Sequence, residues 1–103
     1  RLLALVVFLS GSTAARADGL EDTYAQWKQL RDPDTVGIRF TQGALFLTDH
    51  PGWPEEKLIR LRTEAAALFE KPPHQVMEKF CADPPPLSGR GMVACAEAKV
   101  GTA

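Results

Sequence analysis

The stretch EEKLIRLRTEAAALFE, residues 55–70, decides the fold class of this chain. Its apolar residues recur at spacings of three and four, which places them along one face of an α-helix. The members of this stripe are Leu58, Leu61, Ala65 and Leu68, with Phe69 widening it. Pro54 suits the first helical position, where its missing N–H costs no hydrogen bond. Glu55 and Glu56 follow in the first turn, where the helix dipole favours negative charge. We therefore predict a helix from Pro54 to the residues before Pro72.

The same helical period occurs on both sides of this segment. Residues 20–30 carry an apolar stripe composed of Leu20, Tyr24, Trp27 and Leu30. A second helix is predicted from Asp34 or Thr35 to about Thr48, with Val36, Phe40, Ala44 and Leu47 on one face. Gly37 and Gly43 each weaken this prediction by about 1 kcal/mol, unless close packing requires them.

Two further helices are predicted towards the C-terminus. Residues 73–81 place Val76, Met77 and Phe80 on one side, and Ser88 can cap a last helix that reaches Val100. Prolines separate all five segments, and no strand alternation of useful length occurs. Five short helices with short connections favour antiparallel neighbours. The predicted fold is all-α, with short antiparallel helical hairpins stacked as an α-solenoid.

The N-terminal residues 1–17 are predicted to be a cleavable signal peptide. A basic residue precedes the apolar run Leu2–Leu9, and the segment ends in the A-x-A pattern Ala15–Ala17. The run is far shorter than the roughly 20 residues that a membrane span needs. The alternatives are a buried helix and a membrane anchor. Cleavage after Ala17 makes 18–103 one helical domain in the periplasm, and we expect the chain to continue beyond Ala103.

The charge balance argues against a nucleic-acid or lipid partner. Loss of Arg1 and Arg16 leaves 10 of the 12 basic residues beside all 13 acidic ones, a net charge of −3. Such a chain has no electrostatic reason to bind polyanions. Basic and acidic residues alternate around the central helix, which predicts a solvated face rather than a binding stripe. The basic members are Lys57, Arg60, Arg62 and Lys71.

Cys81 and Cys95 flank a proline-rich turn. An exported protein permits a disulfide between them. The alternative is a pair of buried free thiols, because cysteine often behaves as a small apolar residue. Two cysteines and two distant histidines lack the spacing of a zinc site, so no metal or other cofactor is predicted.

Residue patterns indicate no self-sufficient catalytic site. Glu64 is the acid of most interest, because it lies among alanines and glycoside cleavage uses a carboxyl group with a raised pKa. A surface position on an alanine-rich helix is the preferred interpretation. His50 and His74 have no serine or cysteine at a recognisable nucleophile spacing. No catalytic, cofactor-binding or metal-binding residue is therefore assigned.

Two groups of residues could bind small ligands. Backbone N–H groups of Ser88–Gly91 could surround an anion at a helix start, although an ordinary N-cap is the favoured interpretation. Tyr24, Trp27 and Trp53 could stack on sugar rings. In a small helical protein such residues more often anchor the core and the turns. Trp53 is expected to hold two helices together.

The segment Phe46-Leu47-Thr48-Asp49-His50-Pro51-Gly52-Trp53-Pro54 resembles the F-L-x-x-H-P-x-W-P hairpin of soluble lytic murein transglycosylases. The resemblance continues through Leu58, Arg62, Glu64, Ala65 and Ala66, then through Pro85-Pro86-Leu87-Ser88-Gly89, where that family often has threonine in place of Ser88. It ends in Ala96, Ala98, Lys99 and Gly101, and it covers about residues 24–101.

The resemblance implies the N-terminal part of a superhelical, U-shaped helical domain. In that family, a separate lysozyme-like domain cleaves peptidoglycan glycan strands and forms a 1,6-anhydro ring. Its catalytic acid is a glutamate followed by serine, and no glutamate of this chain is followed by serine. The implied function is a scaffold that contacts peptidoglycan strands within a full-length enzyme. The alternatives are a stand-alone periplasmic helical-repeat module that binds a protein partner and a small exported enzyme.

Overall fold

A computed structural model describes residues 19–101, in which every regular element is helical. Helix α1 covers residues 19–31, α2 covers Phe40–Asp49, α3 covers Glu56–Glu70, α4 covers His74–Ala82 and α5 covers Gly89–Val100. The predicted all-α class is confirmed. The signal peptide predicted for residues 1–17 lies outside the described residues. Between residues 19 and 101, no helix combines the length and apolarity needed to cross a bilayer.

Helix α3 is the centre of the fold. Helices α2 and α5 both pack on it, and α4 packs on α5. One apolar cluster joins α2, α3, α4 and α5, and its buried members are Phe40, Ala66, Ala67, Met77 and Ala94. A second cluster joins α1, α2 and α3 through Leu30, Phe46 and Ile59, with Trp27 and Trp53 packed against it. Along α3, the buried polar residues Arg60, Thr63 and Glu64 lie between Ile59 of the second cluster and Ala66 of the first.

Helix α2 starts later than the sequence predicts. Residues 36–39 are not helical, and the helix begins at Phe40. Gly37 has a φ of 85°, a left-handed conformation that favours glycine and ends any helix. Val36, expected on the buried stripe, is fully exposed. The predicted start at Asp34 or Thr35 is therefore wrong.

The buried face of α3 also differs from the predicted stripe. Leu58 and Leu61 are more than one third exposed and Phe69 is 88% exposed. The buried residues are Ile59, Arg60, Thr63, Glu64, Ala66 and Ala67. The helix is thus rotated so that polar side chains, rather than leucines, face the interior. It begins at Glu56, two residues after the predicted start at Pro54.

Gly43 of α2 leaves room for Thr63 on this buried face of α3. A β-carbon at Gly43 would overlap the hydroxyl of Thr63, so the absence of a side chain lets α2 approach α3 closely. Thr63 is completely buried, and its hydroxyl donates to the carbonyl oxygen of Ile59 at 2.7 Å. The close packing that could justify Gly43 in a helix is present.

The apolar stripe of α1 is only partly buried. Leu30 is 3% exposed and Trp27 is half-buried, whereas Leu20 and Tyr24 are mostly exposed. Helix α1 therefore contacts the rest of the protein chiefly through its C-terminal half.

Candidate functional site

The most unusual group in the described residues is the carboxylate of Glu64. Its side chain is 0% exposed, although it belongs to a helix that the sequence suggested would present it to solvent. The expectation of a surface glutamate is therefore wrong. Burial of an unpaired carboxylate costs several kcal/mol or more, so its partners decide what it can do.

Four donors bind this carboxylate. Arg60, one turn earlier on α3, donates its Nε–H to Oε2 at 2.9 Å. The backbone N–H of Leu87 donates to Oε2 at 2.8 Å, and that of Ser88 donates to Oε1 at 2.9 Å. The hydroxyl of Ser88 also donates to Oε1. Glu64 therefore holds the N-terminus of α5 against the middle of α3.

These contacts set the charge state of Glu64. Desolvation by burial raises the pKa of its carboxyl group, but the hydrogen bonds from Ser88, Leu87 and Arg60 outweigh it and hold the pKa below the ordinary 4.5. The carboxylate is ionised at neutral pH and its oxygens are occupied by donors. A general acid for glycoside cleavage needs the opposite shift, so Glu64 acts as a structural anion.

Gly91 makes room for this arrangement. A β-carbon added there would overlap the Glu64 carboxylate. The backbone N–H of Gly91 also donates to the Ser88 hydroxyl oxygen at 3.0 Å, so Ser88 caps α5 as predicted. The anion considered for Ser88–Gly91 is thus supplied by the chain itself, through Glu64.

Arg60 extends the network towards α4. It is 6% exposed, and its Nη2 donates to the carbonyl oxygens of Phe80 and Pro84, both at 3.0 Å. Its guanidinium lies 3.8 Å from the centre of the Phe80 ring, a cation–π contact. One buried ion pair therefore ties α3 to the end of α4 and to the start of α5. The predicted solvated position of Arg60 is wrong.

Arg62, also on α3, has a comparable role towards α1 and the loop that follows it. Its Nη1 donates to the carbonyl oxygens of Leu30 and Asp32 at 2.7 and 2.8 Å, and its Nη2 donates to that of Thr35 at 2.6 Å. These carbonyls belong to the end of α1 and the loop after it. Because planar guanidinium donors match this loop geometry, Arg62 fixes the loop that delays the start of α2.

The aromatic residues form a continuous row rather than an open platform. Tyr24 stacks on Trp27 at 5.8 Å between ring centres, Trp27 lies 5.9 Å from Trp53, and Trp53 lies 5.7 Å from Phe46. Trp27 also donates its indole N–H to the carbonyl oxygen of Pro54 at 2.7 Å. Trp53 thus joins α1 and α2 at the turn before α3, and Arg31 lies over the Trp27 ring.

The two histidines lie on different elements and serve different contacts. His50 ends α2 and packs against Phe46, at 5.1 Å between ring centres. His74 begins α4, and its Nε2 lies 3.4 Å from a carboxylate oxygen of Glu78. Within residues 19–101, no three histidine, cysteine, aspartate or glutamate side chains come close enough to hold a metal ion.

A disulfide joins Cys81 of α4 to Cys95 of α5, with their Cα atoms 6.0 Å apart. Of the two interpretations that the sequence left open, the structure selects the bond over free thiols. The disulfide links the two helices that flank the proline-rich turn, and Arg60 binds the carbonyl oxygens of Phe80 and Pro84 at the start of that turn.

Comparison of the chain with models of protein families, with curated proteins and with solved structures gave no match.

One signal for the buried network was present in the sequence. Arg60 and Glu64 are separated by four positions, the spacing of an ion pair on one helix face. Sequence reasoning missed the pair because alternating charges are usually solvated. The partners from residues 87 and 88 could not be found, since they depend on how α5 docks.

Proposed function

We propose that this chain is a scaffold segment of a periplasmic lytic murein transglycosylase. In this proposal, a lysozyme-like domain outside these residues cleaves the glycosidic bonds of peptidoglycan strands. The described segment would shape the surface along which the strands pass. Its helical pairs would continue as the α-solenoid of a superhelical, U-shaped domain.

The proposal rests on the contacts made by the residues that resemble the family pattern, because these contacts join helices. Trp53 and Pro54 of the F-L-x-x-H-P-x-W-P segment bind α1 at the turn between α2 and α3. Glu64 belongs to the second segment that resembles the family, residues 58–66. It binds Leu87 and Ser88, which belong to the third such segment, residues 85–89. Residues shared with the family pattern thus hold separate helices together, which is what a scaffold requires.

The state of Glu64 supports a scaffold rather than a catalytic role. A lowered pKa and four bound donors leave this carboxylate no proton to give at neutral pH. The disulfide supports the proposed location, because such bonds persist in oxidising compartments such as the periplasm.

The test is peptidoglycan digestion by the protein encoded by the complete reading frame around this segment. We expect release of 1,6-anhydro-muropeptides from purified sacculi. Release should be abolished when a glutamate followed by serine, located outside residues 18–103, is changed to glutamine. An isolated 18–103 chain should release nothing. Release by that isolated chain, or none by the complete protein, would refute the proposal.

The second candidate is a stand-alone periplasmic helical module that binds a protein partner. The outward face of α5 favours it, because Met92, Val93 and Val100 are 59%, 48% and 74% exposed. The same experiment separates the two candidates, since a reading frame that ends near residue 103 leaves no room for a lysozyme-like domain.

A further inference from the structure

An open groove of about 700 Å³ lies between the loop before α2, the second half of α3 and the start of α5. Its walls include Ile38, Ala65 and Ala66, and the exposed ring of Phe69 also lines it. The groove thus offers apolar surface along α3.

The groove is cationic although the chain is acidic. Arg39, Arg62 and Arg90 line it together with one acid, Glu70. Arg62 binds only backbone carbonyls, so its charge meets no carboxylate. Arg39 and Arg90 are exposed, and neither forms an ion pair within the described residues.

Glu70 cancels only one of these three positive charges. One of its carboxylate oxygens accepts a hydrogen bond from the backbone N–H of Phe40 at 2.8 Å, at the first turn of α2. Three arginines against one glutamate leave the groove with a formal charge of +2, whereas the whole chain has −1. Such a local excess attracts anions to this surface.

We propose that this groove binds an acidic peptide segment in which carboxylates alternate with apolar side chains. Guanidinium groups bind carboxylates in a planar, two-point geometry. The apolar walls between the arginines would accept leucine or phenylalanine side chains, which free phosphate lacks. A concave groove fits an extended segment better than it fits a flat lipid surface. This inference does not depend on the proposed scaffold function.

Fluorescence anisotropy with the full chain tests the proposal. The probe is a short fluorescein-labelled peptide of alternating glutamate and leucine, with a lysine–leucine peptide as its charge-reversed counterpart. We expect saturable binding of the acidic peptide alone, weakened by added salt because the charges are exposed. The variant Arg39→Gln/Arg90→Gln should weaken binding about tenfold or more.

Matched variants exclude indirect causes. Lys28→Gln/Lys57→Gln removes the same charge at exposed positions outside the groove and should leave binding unchanged. Phe69→Ser should weaken binding without loss of thermal stability, because this ring is 88% exposed.

Three results would overturn the proposal. The first is no saturable binding of the acidic peptide. The second is equal weakening by the lysine variant, which would indicate a general charge effect. The third is tighter binding to phosphatidylglycerol vesicles or to purified peptidoglycan than to the peptide, with the same dependence on Arg39 and Arg90.

Discussion

Replacement of Glu64 by glutamine tests the buried network most directly. The carboxylate is 0% exposed and accepts hydrogen bonds from four donors. An amide replaces one acceptor oxygen by an NH2 group, which then faces donors, and it leaves the Arg60 charge buried without its partner. Breaking a buried pair in this way costs about 3–5 kcal/mol.

This loss is large for a domain of such size. Folded domains are stable by about 5–15 kcal/mol, and small ones lie at the low end. A loss of 1 kcal/mol lowers the melting temperature of a small domain by about 4–8 °C. We therefore expect Glu64→Gln to melt at least about 12 °C below the parent chain, or to be unfolded at room temperature.

The assay is chemical denaturation followed by circular dichroism, with Glu97→Gln as the control. Glu97 is exposed on α5, so its replacement should change stability by less than about 0.5 kcal/mol. Equal midpoints for the two variants would refute the structural role of Glu64.

The same pair predicts a pH dependence. The folded-state pKa of Glu64 lies below its ordinary value, so its contribution is complete above about pH 4.5. The contribution is lost as the pH falls through the lower, folded-state pKa. When the pH is lowered from 7 to below 4.5, the free energy of unfolding should therefore fall further for the parent chain than for Glu64→Gln. Parallel pH profiles for the two proteins would contradict this expectation.

Four further variants have defined outcomes in thermal denaturation. Gly91→Ala should destabilise by about 2 kcal/mol or more, because its β-carbon overlaps the buried carboxylate. Gly89→Ala, with open space around it, should be neutral or slightly stabilising, and the reverse order would contradict the packing described. Removing the bridge with Cys81→Ser/Cys95→Ser should cost about 3 kcal/mol for its short loop, and an unchanged melting temperature would argue against the bond. Trp53→Ala should cost about 3 kcal/mol because the ring packs against α1 and α2, whereas an unchanged melting temperature would show that the ring does not stabilise the fold.

The number of helices and most of their ends could be predicted from the sequence. Prolines and the Ser88 cap act locally, so they mark boundaries without knowledge of the fold. The start of α2 was missed because the loop before it is fixed by Arg62, which lies 27 residues or more from the carbonyls it binds. No local pattern contains such a contact.

The orientation of α3 could not be predicted from hydrophobicity. Its leucines at 58 and 61 form the more regular stripe, yet Thr63 and Glu64 are buried instead. Both depend on glycines in other helices, at positions 43 and 91. A glycine that makes room for a distant polar side chain looks in the sequence like an ordinary weak helix position.

Because the Glu64 carboxylate of α3 binds the N-cap residue of α5, separating these two helices leaves a buried charge and its donors without partners. A proteolytic cut in the proline-rich turn would weaken the hold of Glu64 on Leu87 and Ser88, although Ser88 would still cap α5. An array of independent hairpins would tolerate such a cut between its units. Here the disulfide would retain the severed piece covalently, so a nicked chain would keep its mass while losing its cooperative melting.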